Sequence, residues 1–147
     1  MKEHKYDYTY FPDFVSGISS EEDCERHISE YCAHNKSFHL FLNEKIVEKK
    51  ISVPELMRRS CINKNYGYNI LNGARRKPSR DRIIALCIAA RMTLGELQHA
   101  LVLAKQAVLC WCDERDVRIA SAVENSVGDV MKVNLLLAEK GIEPLDV

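Results

Sequence analysis

The side chains best suited to meeting a polyanion are gathered in one stretch, YGYNILNGARRKPSRDR, from Tyr66 to Arg82. Two tyrosines and two asparagines precede a Gly, a burst of positive charge and a Pro. Between residues 58 and 82, Arg58, Arg59, Lys64, Arg75, Arg76, Lys77, Arg80 and Arg82 are balanced by Asp81 alone. The whole 147-residue chain has a formal net charge of zero, which argues against a generic nucleic-acid sponge. The flanking residues 1–36 and 83–147 are acidic. Local asymmetry of this kind orients a polyanion even on a neutral molecule. The competing reading is a solvated basic loop beside an ordinary helix.

Other candidate chemistry is weaker. CERHISEYCAH brings Cys24, His27, Cys32 and His34 together in sequence, but its spacing matches no usual structural zinc pattern. On one helix Cys24 and His27 share a face with Glu21, whereas Cys32 lies two turns away, so no metal is expected. The six cysteines, Cys24, Cys32, Cys61, Cys87, Cys110 and Cys112, are irregularly spaced and read as reduced thiols. Cys87 sits on an apolar helix face, where a thiol behaves as a small hydrophobe. Cys110 and Cys112 do not close a comfortable disulfide across one residue. Trp111 between them is expected to anchor a core or an interface. The histidines His4, His27, His34, His39 and His99 are scattered, and no phosphate loop, nucleophile elbow or paired metal-binding His motif occurs. A non-enzyme without a cofactor is the expectation.

The elements that must position these residues read as helices throughout, about eight in an all-α chain. Ser19-Ser20-Glu21-Glu22 is a capping-box pattern with Ser19 as N-cap, predicting a helix from about 20 to 33. Phe38, Phe41, Leu42 and Ile46 recur at helical spacing over 38–49. Ser52-Val53-Pro54-Glu55 opens a short helix to Ser60, with Pro54 in its first turn and Leu56 and Met57 inward. Cys61-Ile62-Asn63 breaks it. A second short helix, 64–71, ends at Asn72-Gly73, where Gly takes the left-handed conformation. Ser79 caps a helix with Ile83, Ile84, Cys87 and Ile88 on one face. Leu94, Leu97, Leu101 and Ala104 mark the next. The last two start near Asp113 and at Ser126-Val127-Gly128-Asp129, the latter stopping at Gly141.

TLGELQHALVLA at 93–104 echoes SVGDVMKVNLLLA at 126–138, an offset that also aligns Arg82 with Arg115. Two similar helical hairpins, 79–105 and 112–140, are the expectation, with shared capping chemistry as the alternative source of the match. No apolar run approaches the roughly 18 residues of a membrane span, and MKEHKYDYTYFPDF is too polar and aromatic for a secretory leader. A cytoplasmic location follows.

Taken as a unit, 53–73 is a short helix, a three-residue turn, a short helix and an Asn-Gly stop. With the helix before it and the two after it, this order resembles the lambda-repressor-like, Cro/C1-type (XRE) helix-turn-helix DNA-binding domain over about residues 38–103. Leu71-Asn72-Gly73 and Pro78-Ser79 are marks of that family. The resemblance implies that Ile62 plugs the turn and that Gly67, Ile70 and Leu71 face the core, with Gly67 allowing close approach of the first short helix. It implies that Lys64, Asn65, Tyr68 and Asn69 face a major groove, where Asn pairs with adenine and Lys donates to guanine. Arg75, Arg76, Lys77 and Arg80 would hold phosphates. Many members carry a Gln at the start of the first short helix; this chain has Val53 there.

The organisation expected is an acidic, Tyr-rich arm and helix (1–36), a helix-turn-helix domain (37–105) and a C-terminal helical hairpin (106–147) for dimerisation or partner binding. Duplex DNA is the expected partner, with a possible homodimer through the C-terminal helices. The alternative is a non-enzymatic adaptor that keeps the fold and turns its basic loop on an acidic protein. In either case the arm, with Tyr6, Tyr8 and Tyr10, has the composition to cover the basic surface.

Overall fold

The computed structural model describes residues 16–32, 37–75 and 77–147. Tyr6, Tyr8 and Tyr10 of the arm, His4, His34 and the loop residue Arg76 lie outside these. The described residues form eight α-helices and no strand, so the chain is all-α. They divide into two compact units, 1–36 and 37–147.

In the first unit, α1 (Glu21–His27) continues into a π-helical turn, Ile28–Cys32. Its N-cap is Ser20 rather than Ser19: the Ser20 hydroxyl accepts from the Asp23 amide at 3.1 Å. Ser19 instead donates to the Asp23 carboxylate, which also pairs with Arg26. No residue of α1 is buried.

The second unit contains α2 (Phe38–Glu48), α3 (Val53–Ser60), α4 (Lys64–Leu71), α5 (Arg80–Ala89), α6 (Leu94–Leu103), α7 (Glu114–Glu124) and α8 (Val130–Glu139). Its axis is α5. Every residue from Ile83 to Ala89 is buried, not only the one face the periodicity predicted, because α3, α6 and α8 all pack on it. Leu42, Leu56, Ile70, Leu97, Leu101, Ile119 and Leu137 fill the space around it.

One polar cluster is sealed into this core. Glu96 receives Lys45 at 2.8 Å and Lys49 at 2.9 Å, and its carboxylate closes a capping box on the Thr93 amide. Burial opposes the charge on Glu96. The bonds from Lys45, Thr93 and Lys49 outweigh it and hold the pKa down at about 2. The cluster ties α2 to the start of α6.

The two C-terminal hairpins, α5–α6 and α7–α8, are copies in structure, in a register other than the one read from sequence. Left-handed residues close the first helix of each, Arg91 and Ser126, and the second, Lys105 and Gly141. Each is followed by an amide that reaches back: Met92 to Cys87 and Val127 to Ala122, then Gln106 to Leu101 and Ile142 to Leu137. Gln98 grips both backbone groups of Leu109, and Asn134 does the same to Leu145. Arg80 thus matches Arg115 and Gln98 matches Asn134; Arg82 does not match Arg115. Ser126 closes α7, and Asp129 caps α8.

The copies are locked reciprocally. Arg80 makes a two-pronged pair with Asp116, at 3.1 and 2.9 Å, and donates to the Ala107 and Val108 carbonyls. Arg115 pairs in the same way with Asp81, at 3.1 and 2.9 Å, and donates to the Glu143 and Pro144 carbonyls. The Cys110 amide completes Asp116, and the Asp146 amide completes Asp81. Residues 106–147 therefore fold as part of the same compact unit as 37–105.

Leu109, buried, takes the anchoring role expected of Trp111. With Leu109 turned inward and the Cys110 amide fixed on Asp116, Trp111 is directed outward and is 89% exposed. Val117 is also exposed; Ile119 and Ala122 carry the apolar burial of α7. All six cysteines are free. The Cys110 and Cys112 sulfurs lie 2.8 Å apart, and burial pushes the Cys87 thiol far up.

Candidate nucleic-acid interface

The basic segment is built on α3 and α4. Ser52 caps α3 by accepting from the Glu55 amide at 3.3 Å. Glu55 does not reach back to complete the box but pairs with Arg59 at 2.6 Å. Cys61 ends α3 in the left-handed conformation, with φ of 58°. Ser60, fully buried, donates to the Met57 carbonyl and accepts from the Ile62 amide. These bonds satisfy the polar groups of a turn whose middle residue, Ile62, is 5% exposed. Asn63 then caps α4, its side-chain oxygen accepting from the Asn65 and Tyr66 amides.

The contact of α4 with α3 needs Gly67. A Cβ at that position would lie 2.1 Å from the Met57 sulfur and 2.7 Å from its methyl, so any side chain would displace a buried thioether. Ile70 and Leu71 face inward with Gly67, and Asn43 of α2 donates to the Leu71 carbonyl at 2.9 Å. The end of α4 is set by Gly73, at φ of 80°, where a Cβ would lie 2.8 Å from the His39 ring.

With one side of α4 held, the other is presented. Lys64, Asn65, Tyr68 and Asn69 are all exposed and share one side of the helix. The Lys64 ammonium lies 5.9 Å from the Tyr68 ring centre. Tyr66, at the edge of this side, is half-buried between two guanidinium groups, Arg75 at 4.4 Å and Arg82 at 4.1 Å from its ring centre. Such stacking fixes the direction of a cation without neutralising it. The Nε of Arg82 is buried and has no hydrogen-bond partner.

Of the residues predicted to hold phosphates, Arg75 and Lys77 are exposed beside α4, and Arg76 lies outside the described residues. Arg80 is a correction. Its guanidinium is committed to Asp116 and to the Ala107 and Val108 carbonyls, which makes it a strut between hairpins. Arg82 and Tyr66 are the residues that sequence reasoning left out of the site. The residues in contact are sixteen positions apart in the chain, and no local pattern links them.

The arrangement offers amide, ammonium and phenol groups along one exposed helix side, bordered by oriented cations. Groups of these kinds are the ones with which proteins read base edges and neutralise phosphate oxygens. Comparison of the chain with protein-family models, with curated proteins and with solved structures returns no match. Among the described residues no helix is long and apolar enough to cross a membrane.

Proposed function

We propose that this chain is a non-enzymatic, sequence-specific duplex-DNA-binding regulator of the helix-turn-helix type, with α4 as the helix that enters the major groove. The observation that carries the reading is the side of α4 opposite Gly67, Ile70 and Leu71. Four hydrogen-bonding side chains, Lys64, Asn65, Tyr68 and Asn69, stand exposed there on a helix braced by α2 and α3. Lys64 and Asn65 read bases; Tyr68 and Asn69 contact bases further along the groove. Arg75, Lys77 and Arg82 hold phosphates, with Arg76 in the same loop. Arg80 leaves this list because its donors are used within the fold. The backbone amides at the start of α3 take the phosphate that a Gln side chain grips in the family the chain resembles.

The experiment is selection from a pool of randomised duplexes, followed by binding to the enriched sequence and to an unselected one. Enrichment of a short defined site is the expected result. Failure to retain duplex at low salt, together with binding to an acidic polypeptide, would transfer the same basic surface to the adaptor reading.

A further inference from the structure

The repeat identifies a face that is covered in one copy and bare in the other. In the first hairpin, Glu96 and His99 of α6 lie under α2, and Ala100 on the same side is fully buried. Phe41 meets the His99 ring edge-on, with centres 5.0 Å apart. Lys45 and Lys49, further along α2, bond to Glu96, and Lys49 also donates to the Arg91 carbonyl. As α2 advances from Phe41 to Lys49 it meets α6 from His99 back toward Arg91, so the covering helix is antiparallel. The matching residues of α8 are Lys132, Leu135 and Leu136, and no described helix of the second unit covers them. Leu135 is 59% and Leu136 49% exposed, and Met131 beside them is 63% exposed.

We propose that this face of α8 is a homodimer interface, covered by α8 of a second copy in antiparallel orientation about a two-fold axis passing between Leu135 and Leu136. The charge pattern selects this occupant. A two-fold axis at that point sets each residue opposite one of the copy in fixed register. Leu135 meets the copy's Leu136, and Met131 meets the stem of the copy's Lys140. Lys132 meets the copy's Glu139, twice over by symmetry. The same helical side carries Lys132, Leu135, Leu136 and Glu139, so the apolar pair lies between two complementary ion pairs. The first hairpin uses this arrangement with the signs reversed, where Glu96 receives lysines from the antiparallel α2. Other helices lacking an acid at the Glu139 position would leave Lys132 unpaired against apolar surface. The interface supplies the two-fold pairing that a DNA reader of short half-sites uses, but it rests on the repeat and the charges of α8, independently of DNA binding.

The test is sedimentation of the full chain under reducing conditions over a concentration series, with four variants. Wild type is expected to be dimeric at micromolar concentration, and Leu135→Asp monomeric with an unchanged helical circular-dichroism spectrum. Lys132→Glu and Glu139→Lys are each expected to raise the dimer dissociation constant at least about tenfold, because each puts like charges together twice. Lys132→Glu/Glu139→Lys is expected to return to within about threefold of wild type. A monomeric wild type, a dimer indifferent to the single reversals, or a double variant no tighter than the singles would overturn the proposal. Should Leu135→Asp fail to fold, the charge exchange at two exposed positions decides the matter by itself. A monomer that still selects a DNA site would overturn this interface and leave the DNA reading in place; a dimer that selects none would do the reverse.

Discussion

Asn65 and Tyr66 are neighbours in sequence with opposite assignments. Asn65 stands free on the exposed side of α4, and Tyr66 is stacked between Arg75 and Arg82. A base-reading Asn contributes through a two-pronged bond to one base pair. Asn65→Ala is therefore expected to weaken the selected site by about 1–3 kcal/mol and to relax preference at one position. Titration of the variant on the selected site and its single-base variants checks this; equal loss on every sequence would make Asn65 a backbone contact. The exposed set on α4 was legible from the sequence because it is the complement of the buried one. The helix-turn-helix resemblance put Gly67, Ile70 and Leu71 on the inner side, and the Asn-Gly stop marks the end by a local rule. The Arg75–Tyr66–Arg82 stack was not legible, since it depends on how α5 returns past α4. Arg80 carries the same lesson. In sequence it is one more cation of the basic run, and only the fold sets it against Asp116.

At the scale of elements, the α5–α6 and α7–α8 hairpins are held by two crossed arginine–aspartate pairs, and α2 is held on α6 by Glu96. Arg80→Ala leaves Asp116, 5% exposed, without its guanidinium. Removing one partner of a buried pair costs about 3 kcal/mol or more. A denaturant titration is expected to register that loss; a variant of wild-type stability would return Arg80 to the phosphate-binding loop. Glu96 has a pH consequence. Its folded pKa, about 2, lies below that of an ordinary glutamate, so the unfolded chain takes up the proton first. The stabilisation is complete above about pH 4.5 and is lost as pH falls from there through about 2, to the extent of roughly 3 kcal/mol. The unfolding free energy measured down this range is expected to decline more steeply for wild type than for Glu96→Gln, and parallel curves would contradict the role of the cluster. Helix ends were largely legible, because Ser52, Ser79, Thr93 and Asp113 are local signals that the helices obey. The repeat register was obscured by a single residue. Thr93 caps α6 directly after Met92, whereas Gly128 intervenes between Val127 and the Asp129 cap of α8. A fixed offset therefore cannot align both helices of the hairpins at once.

For the molecule as a whole, charge separation is what joins the fold to the proposed function. A chain of zero net charge keeps its described loop cations beside α4, while its acids are spent on caps and ion pairs elsewhere or lie in the flanking segments. A two-fold dimer through α8 would present two such surfaces, as a reader of paired half-sites requires. The most direct test of the central claim is the salt dependence of duplex binding, because releasing counterions from phosphates imposes a slope that ordinary protein association lacks. The logarithm of the binding constant is expected to fall steeply and linearly with the logarithm of salt concentration. Arg75→Ala is expected to weaken all sequences alike and to flatten the slope by about one unit for each copy bound. A shallow slope that Arg75→Ala does not change would contradict phosphate contact by this surface, and with it the reading of the chain as a DNA-binding protein.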